Sequence, residues 1–180
     1  MGIVIRAGVE TDATALAELA AQTFRETFAA DNRPEDIALH TTHAYGTSQQ
    51  RSELVDPNIT TLLVEIDGQL AGYAQLRSGV PPQCVTGENP IELWRFYIAQ
   101  PWHGRGVAQA LMRQVESDAC RSGPSTLWLG VWERNERAKA FYNKNGFMDV
   151  GSHVFMVGKD AQIDRILVRP LTKVTSKGAA

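Results

Sequence analysis

The chain has 180 residues and a formal net charge of -2, with 43% apolar and 21% charged residues. That length suits one domain with a substantial core and the composition is that of a globular protein, while no stretch approaches the roughly 20 apolar residues of a membrane span. Without a basic surplus to neutralise a phosphate backbone, the charge argues against a nucleic-acid partner.

The opening segment MGIVIRAGVE lacks the long apolar run and cleavage site of a secretory signal, so a cytoplasmic protein is expected. Cys84 and Cys120 lie in unrelated contexts without C-x-x-C spacing and read as free thiols.

In chain order, Ile3, Val4 and Ile5 predict a first strand. Thr11 and Asp12 offer a helix cap, and Leu16, Leu19, Ala20, Thr23, Phe24 and Phe28 follow at helical spacing. Pro34, Glu35 and Asp36 suit the first turn of a second helix, because proline tolerates that turn and acidic groups complement its dipole. From there to Asp56 the sequence reads as irregular helix and loop. Residues 60–66 and 69–76, joined by Asp67-Gly68, predict a hairpin. A loop with three prolines covers residues 80–90, and residues 91–98 form the next strand. Alternation there separates Glu92, Trp94, Phe96 and Ile98 from Leu93, Arg95 and Tyr97.

From Gly104 to about Cys120, the residues Val107, Leu111, Met112, Val115 and Ala119 mark one face of a helix ended by Ser122-Gly123-Pro124. A strand over residues 127–132, a helix over 135–144 and strands over 147–157 and 162–169 complete the chain. The order β-α-α-β-β-β-α-β-α-β-β predicts an α/β fold: a mixed sheet with helices on its faces. It forms a single domain over residues 1–170, with a fraying tail over 171–180.

The chemistry concentrates where a strand runs through a glycine turn into an amphipathic helix, at His103, Gly104, Arg105, Gly106, Val107 and Ala108. Such a junction offers unpaired N–H groups and the positive end of a helix dipole to an anion such as a pyrophosphate. Neither G-x-x-x-x-G-K-[ST] nor G-x-G-x-x-G is complete here. A second segment, NERAKAFYNKNGF, begins at Asn135 directly after a strand.

Together these two segments resemble the GCN5-related N-acetyltransferase (GNAT) superfamily, with its [QR]-x-x-G-x-[GA] and N-x-x-A-x-x-F-Y-x-x-x-G-F patterns. The wording LGVWERNERAKAFYNKNGF, followed by GSHVFMVGKDAQID, is similar to the Pai-type spermidine/spermine acetyltransferases. The resemblance implies a mostly antiparallel central sheet with helices on both faces, acetyl-CoA as donor and an amine as acceptor. It also implies pantetheine contacts along Phe96, Tyr97 and Ile98, a pyrophosphate cradle over His103 to Ala108, and Asn135 beside the pantetheine arm. The signature begins with Gln or Arg where this chain has His103, so the backbone donors are what carries over. Lys144 matches a position near the cofactor's 3′-phosphate, where a solvated lysine fits equally.

In the same family Tyr142 corresponds to the acid that protonates the departing thiolate, although a tyrosine beside Phe141 also suits a core. Free alkylamines are mostly protonated at neutral pH, so attack on a thioester needs a base. Glu92 stands where several members carry one, and a glutamate facing solvent at a strand entrance is the alternative. Phe28 and the acidic group of Glu35 and Asp36, near Glu26 and Asp31, fall where relatives line the acceptor groove. Carboxylates there would pair with the non-reacting ammonium groups of a polyamine. His40 and His43 form H-x-x-H without a third ligand, so no metal is expected, and His153 reads as structural. The expected enzyme acetylates a polyamine or similar small amine by direct attack in a ternary complex. A protein N-terminus or an antibiotic amine remains open as acceptor, as does a CoA-binding regulator with little catalysis, and a homo-oligomer is compatible with the sequence.

Overall fold

A computed structural model of the chain describes residues 2–121 and 125–171. After β1 (Ile3–Ala7) and a short 3-10 turn, α1 (Ala13–Phe28) begins without a side-chain cap. Asp12 instead accepts from the Val9 amide at 2.8 Å and pairs with Arg6 at 2.7 Å. The second helix begins at Pro34 as expected and runs as α2 (Pro34–Ala44), and where the sequence suggested irregular structure a further regular helix follows, α3 (Thr47–Val55). The buried side chains of α3 are Gln50 and Glu53, so an apolar periodicity never marked it.

The hairpin of β2 (Ile59–Ile66) and β3 (Gln69–Ser78) turns at Asp67 and Gly68, with φ of 51° and 82°, the left-handed pair that suits the twist of adjoining strands. Then come β4 (Pro90–Ile98), α4 (Val107–Ala119), β5 (Ser125–Trp132), α5 (Glu136–Lys144), β6 (Met148–Val157) and β7 (Asp160–Leu171). The expected stop at Ser122-Gly123-Pro124 and the tail from residue 172 lie outside the described residues. Leu171, expected in that tail, is buried at the end of β7 opposite Ser125.

The seven strands form one sheet in the order β1-β2-β3-β4-β5-β7-β6. All the pairings are antiparallel except that of β4 with β5, which is parallel and joins only Pro90, Ile91 and Glu92 to Thr126, Leu127 and Trp128. Beyond Glu92 and Trp128 the two strands part, and the sheet opens into a fork. One core, with Leu111, Met112 and Tyr142, fills the face under α4 and α5; a second, with Phe24, Phe28 and Tyr73, fills the face under α1 and α2.

Along β4 the expected alternation is broken once. Gln75 opposes Arg95 and Leu76 opposes Leu93, so Trp94 is an extra, bulged residue. An extra residue reverses the parity of everything before it. Leu93 therefore shares the α4–α5 core with Phe96 and Ile98, while Arg95 and Tyr97 face α1–α3.

Candidate active site

The glycine turn leaves both glycines outside α4, with φ of 72° at Gly104 and 79° at Gly106. A Cβ at either position would meet nothing within 4 Å, so glycine is required there by the backbone and the space above it is open. The first amides of α4 have no acceptor within the helix and carry the positive end of its dipole. Beside them the exposed Arg105 guanidinium lies 5.5 Å from the Trp102 ring.

His103 is not turned toward this open space. Its Nε2–H donates to the Ile98 carbonyl at 2.6 Å, and its Nδ1 accepts from Arg137 Nη1 at 2.7 Å. One donor and one acceptor define a neutral imidazole that braces the end of β4 against α5. Arg137 went unnoticed in the sequence, although a cation in the first turn of a helix opposes the dipole and signals a local partner.

Asn135 caps α5, its Oδ1 accepting from the Ala138 amide at 3.0 Å. Capping fixes the phase of the helix, which turns Tyr142 inward to 7% exposure and leaves Lys144 exposed in the last turn. The Tyr142 ring lies edge-on to Phe96 at 6.3 Å and to both Phe141 and Phe147 at 5.5 Å. Burial in this apolar setting pushes the phenol above its ordinary pKa. Tyr142 and Phe96 are thus brought together beside the fork.

Glu92 is not brought to them. It belongs to the last β4–β5 pair, roughly 13 Å of strand from Phe96, and its carboxylate accepts from Arg77 Nε in an ion pair. The substrate candidates also separate. Phe28 packs in the core, 5.5 Å from Trp132 and 4.5 Å from Phe24. Asp36 is buried and accepts from the Lys159 amide at 2.9 Å and from Arg33 Nε at 2.9 Å; these bonds hold its carboxyl below the usual range. A Cβ on Gly158 would fall 2.7 Å from Asp36 Cα, so that glycine is what lets the β6–β7 turn dock there. The expectation of a free Asp36 is therefore corrected: the carboxylate anchors a hairpin. Glu26 is likewise engaged by the Gln100 amide at 3.1 Å, whereas Glu35 remains exposed.

On the face of the sheet opposite Tyr142 an exposed glycine is flanked by two polar side chains, a slot-like arrangement the sequence did not announce. Gly130 lies two residues past the last β4–β5 pair, between Trp128 and Trp132 on the same strand face. A Cβ there would stand 3.1 Å from both His153 Nε2 and Asp164 Oδ2, which are 3.8 Å from each other. Burial raises the Asp164 carboxyl to about 6, against the opposing pull of His153. The available signal was the run Trp-Leu-Gly-Val-Trp, which places a glycine between two tryptophans on one face of a strand.

One end of the slot is walled by the β3–β4 loop, where Cys84 lies over Gly151 and Val85 packs with Trp128. At the other end His40 stacks on Phe24 at 4.3 Å and meets Phe155 edge-on at 5.7 Å. Burial, aided by Arg95, lowers the His40 pKa and favours a neutral ring in an aromatic wall. His40 thus has a place in packing, and no group of three metal-binding side chains occurs among the described residues.

The acetyltransferase (GNAT) family model matches residues 14–147. The uncharacterized N-acetyltransferase in the pepI 3′ region of Lactobacillus delbrueckii subsp. lactis is 32% identical over 170 residues, 94% of this chain and 98% of the relative. An uncharacterized N-acetyltransferase of Mycobacterium tuberculosis is 35% identical over 161 residues, 89% of this chain and 99% of the relative. Among solved structures, the PaiA N-acetyltransferase of Thermoplasma acidophilum in complex with coenzyme A superposes with a TM-score of 0.73 at 23% identity, covering 94% of this chain and 99% of that one. That last likeness speaks for the fold.

Proposed function

The chain belongs to the acetyltransferase (GNAT) family and is an acetyl-CoA-dependent N-acetyltransferase; on that premise we propose that its acceptor is the primary amine of a small molecule, acetylated by direct attack. The parting of β4 from β5 carries this reading. It leaves the β4 edge from Phe96 to Ile98 free on one side, with the open glycine turn at its outer end and the slot over Gly130 at its throat.

The residues present fit the donor. Gly104, Arg105, Gly106, Val107 and Ala108 would hold its pyrophosphate through helix-terminal amides, in a space that a Cβ at either glycine would begin to fill. Phe96, Tyr97 and Ile98 would bond its pantetheine arm as a neighbouring strand would, Asn135 would border the arm, and Lys144 would meet the 3′-phosphate. Bound acetyl-CoA supplies an acetyl thioester. Tyr142, kept protonated by burial, holds the proton destined for the sulfur. Phe96, Phe141 and Phe147 surround its ring with apolar groups.

Within the class of primary amines, a polyamine is the acceptor whose further ammonium groups Glu35 would pair with, since its carboxylate is exposed beside the anchored Asp36. The test is a turnover screen following thiol release from acetyl-CoA with spermidine, spermine, monoamines and peptides. Acetylation of small primary amines in preference to peptides is expected. Turnover of peptides alone would overturn the acceptor class, and failure with every polyamine would remove that narrower assignment.

A further inference from the structure

We propose that His153 and Asp164, converging over Gly130, receive the acceptor's ammonium group and take its proton. This assignment rests on the amine-acetylating reading and adds the base that reading requires. An alkylammonium ion with a pKa near 10.4 must lose a proton before it can attack, and the acceptor of that proton must stand apart from Tyr142, which has to keep its own.

The geometry meets both needs. Tyr142 lies on the face of the sheet under α4 and α5. His153 and Asp164 are a directly opposed pair on β6 and β7, and they flank Gly130 on the face that carries Trp128, Trp132 and Phe155. Because Gly130 is exposed and presents no side chain, the two polar atoms come close to the β5 backbone, each 3.1 Å from where a Cβ would stand, at the throat of the fork. Their own separation of 3.8 Å exceeds a hydrogen bond, leaving each able to reach a third group. The His153 side chain is 39% exposed, which gives the proton an exit to solvent, whereas that of Asp164 is 12% exposed and holds a cation in a setting of low dielectric.

Asp164 is the carboxylate that faces His153 from β7, while its neighbour Arg165 is taken up by Asp149 at 2.7 Å. From the β3–β4 loop the Cys84 thiol lies over Gly151, two residues before His153 on β6, and from α2 His40 lies beyond Phe155, two residues after it. Burial raises the Asp164 carboxyl to about 6, which makes it a stronger proton acceptor than an exposed carboxylate. Glu92, by contrast, is ion-paired with Arg77 at the closed end of the fork.

The balance is complete. The pair takes one proton from the ammonium nitrogen and passes it to solvent. As the N–C bond forms and the C–S bond breaks, Tyr142 gives its proton to the departing sulfur and regains one from the nitrogen that becomes an amide.

The experiment compares wild type, His153→Gln and Asp164→Asn in amine-dependent kcat/KM across pH, in CoA binding by calorimetry, and in imidazole 15N resonances during addition of butylamine to the ligand-free protein. Each substitution is expected to lower kcat/KM at pH 7 by about 10²-fold, with CoA affinity unchanged and the deficit shrinking at alkaline pH, where the amine arrives neutral. In the wild type, butylamine should move the His153 resonances, and added imidazole should partly restore a His153→Ala variant. A structural role for the pair would predict neither the pH dependence nor the rescue. Wild-type kcat/KM and pH profile in both variants would overturn this assignment alone, as would a pH-dependent loss confined to Glu92→Gln. A wild-type protein that binds CoA and acetylates no amine would overturn the amine reading together with it.

Discussion

The His103 imidazole donates from Nε2 to the Ile98 carbonyl at 2.6 Å, tying the last residue of β4 to the turn that begins five residues later. With Arg137 on its other nitrogen, it fixes the turn from both sides. His103→Ala removes two hydrogen bonds worth about 1 kcal/mol each and lets the turn sample states that cannot bind. CoA affinity is expected to fall about tenfold by calorimetry. An unchanged Kd would mean that the turn is held without this brace.

Tyr142→Phe keeps the ring contacts with Phe96, Phe141 and Phe147 and removes only the hydroxyl. Steady-state kinetics should show kcat reduced by about 10²-fold with the KM for acetyl-CoA nearly unchanged. Because burial raises this phenol, its ionisation should contribute no limb to the wild-type pH profile through the neutral range. Wild-type kcat in the variant would remove Tyr142 from the chemistry.

Behind the fork, Arg95 and Glu53 form an ion pair at 2.5 Å with side-chain exposures of 7% and 3%, and Gln75 Oε1 accepts from the same guanidinium at 2.7 Å. Glu53→Ala leaves a buried cation unpaired and should cost about 3–5 kcal/mol. For a chain of this length that lowers Tm by about 10 °C. The double substitution Glu53→Leu with Arg95→Met should recover most of the loss in a thermal melt; if the double variant is no more stable than the single one, the pair has another function in the fold.

Asp36 connects stability to pH with a definite sign. Its folded pKa is depressed, by the Lys159 amide first and Arg33 after it, so its contribution is fully present above the unfolded value of about 3.9 and is lost as pH falls through the lower folded value. Urea denaturation at neutral pH should find Asp36→Ala less stable than wild type, and the gap should close in strong acid. Hydrogen exchange at the Lys159 amide should be faster in the variant.

Glu35→Gln removes an exposed charge and leaves the anchored Asp36 in place. If polyamines are acceptors, their KM should rise about two- to fivefold, the effect of an exposed ion pair of up to 1 kcal/mol, while that of a monoamine stays constant. Equal effects on both would detach Glu35 from acceptor recognition.

The hairpin at Asp67-Gly68, the amphipathic α4 and the helix beginning near Asn135 were legible because each depends on residues adjacent in sequence. The helix α3 was not, since it buries Gln50 and Glu53 against partners on distant strands. The bulge at Trp94 was hidden for a related reason: a register shift exists only between two strands, and it reverses the faces that simple alternation assigns.

The same division holds at the site. Sequence by itself determined the turn through Gly104 and Gly106 and the helix that carries Tyr142, because left-handed backbone, dipole and helical phase are properties of short segments. Tertiary structure decided what each polar side chain is free to do. It engaged Asp36 in anchoring a hairpin, Glu92 in an ion pair and His103 in a brace, and it brought His153 and Asp164 together over Gly130. The availability of a charge or an imidazole depends on partners that arrive from elsewhere in the chain, and only folding supplies them.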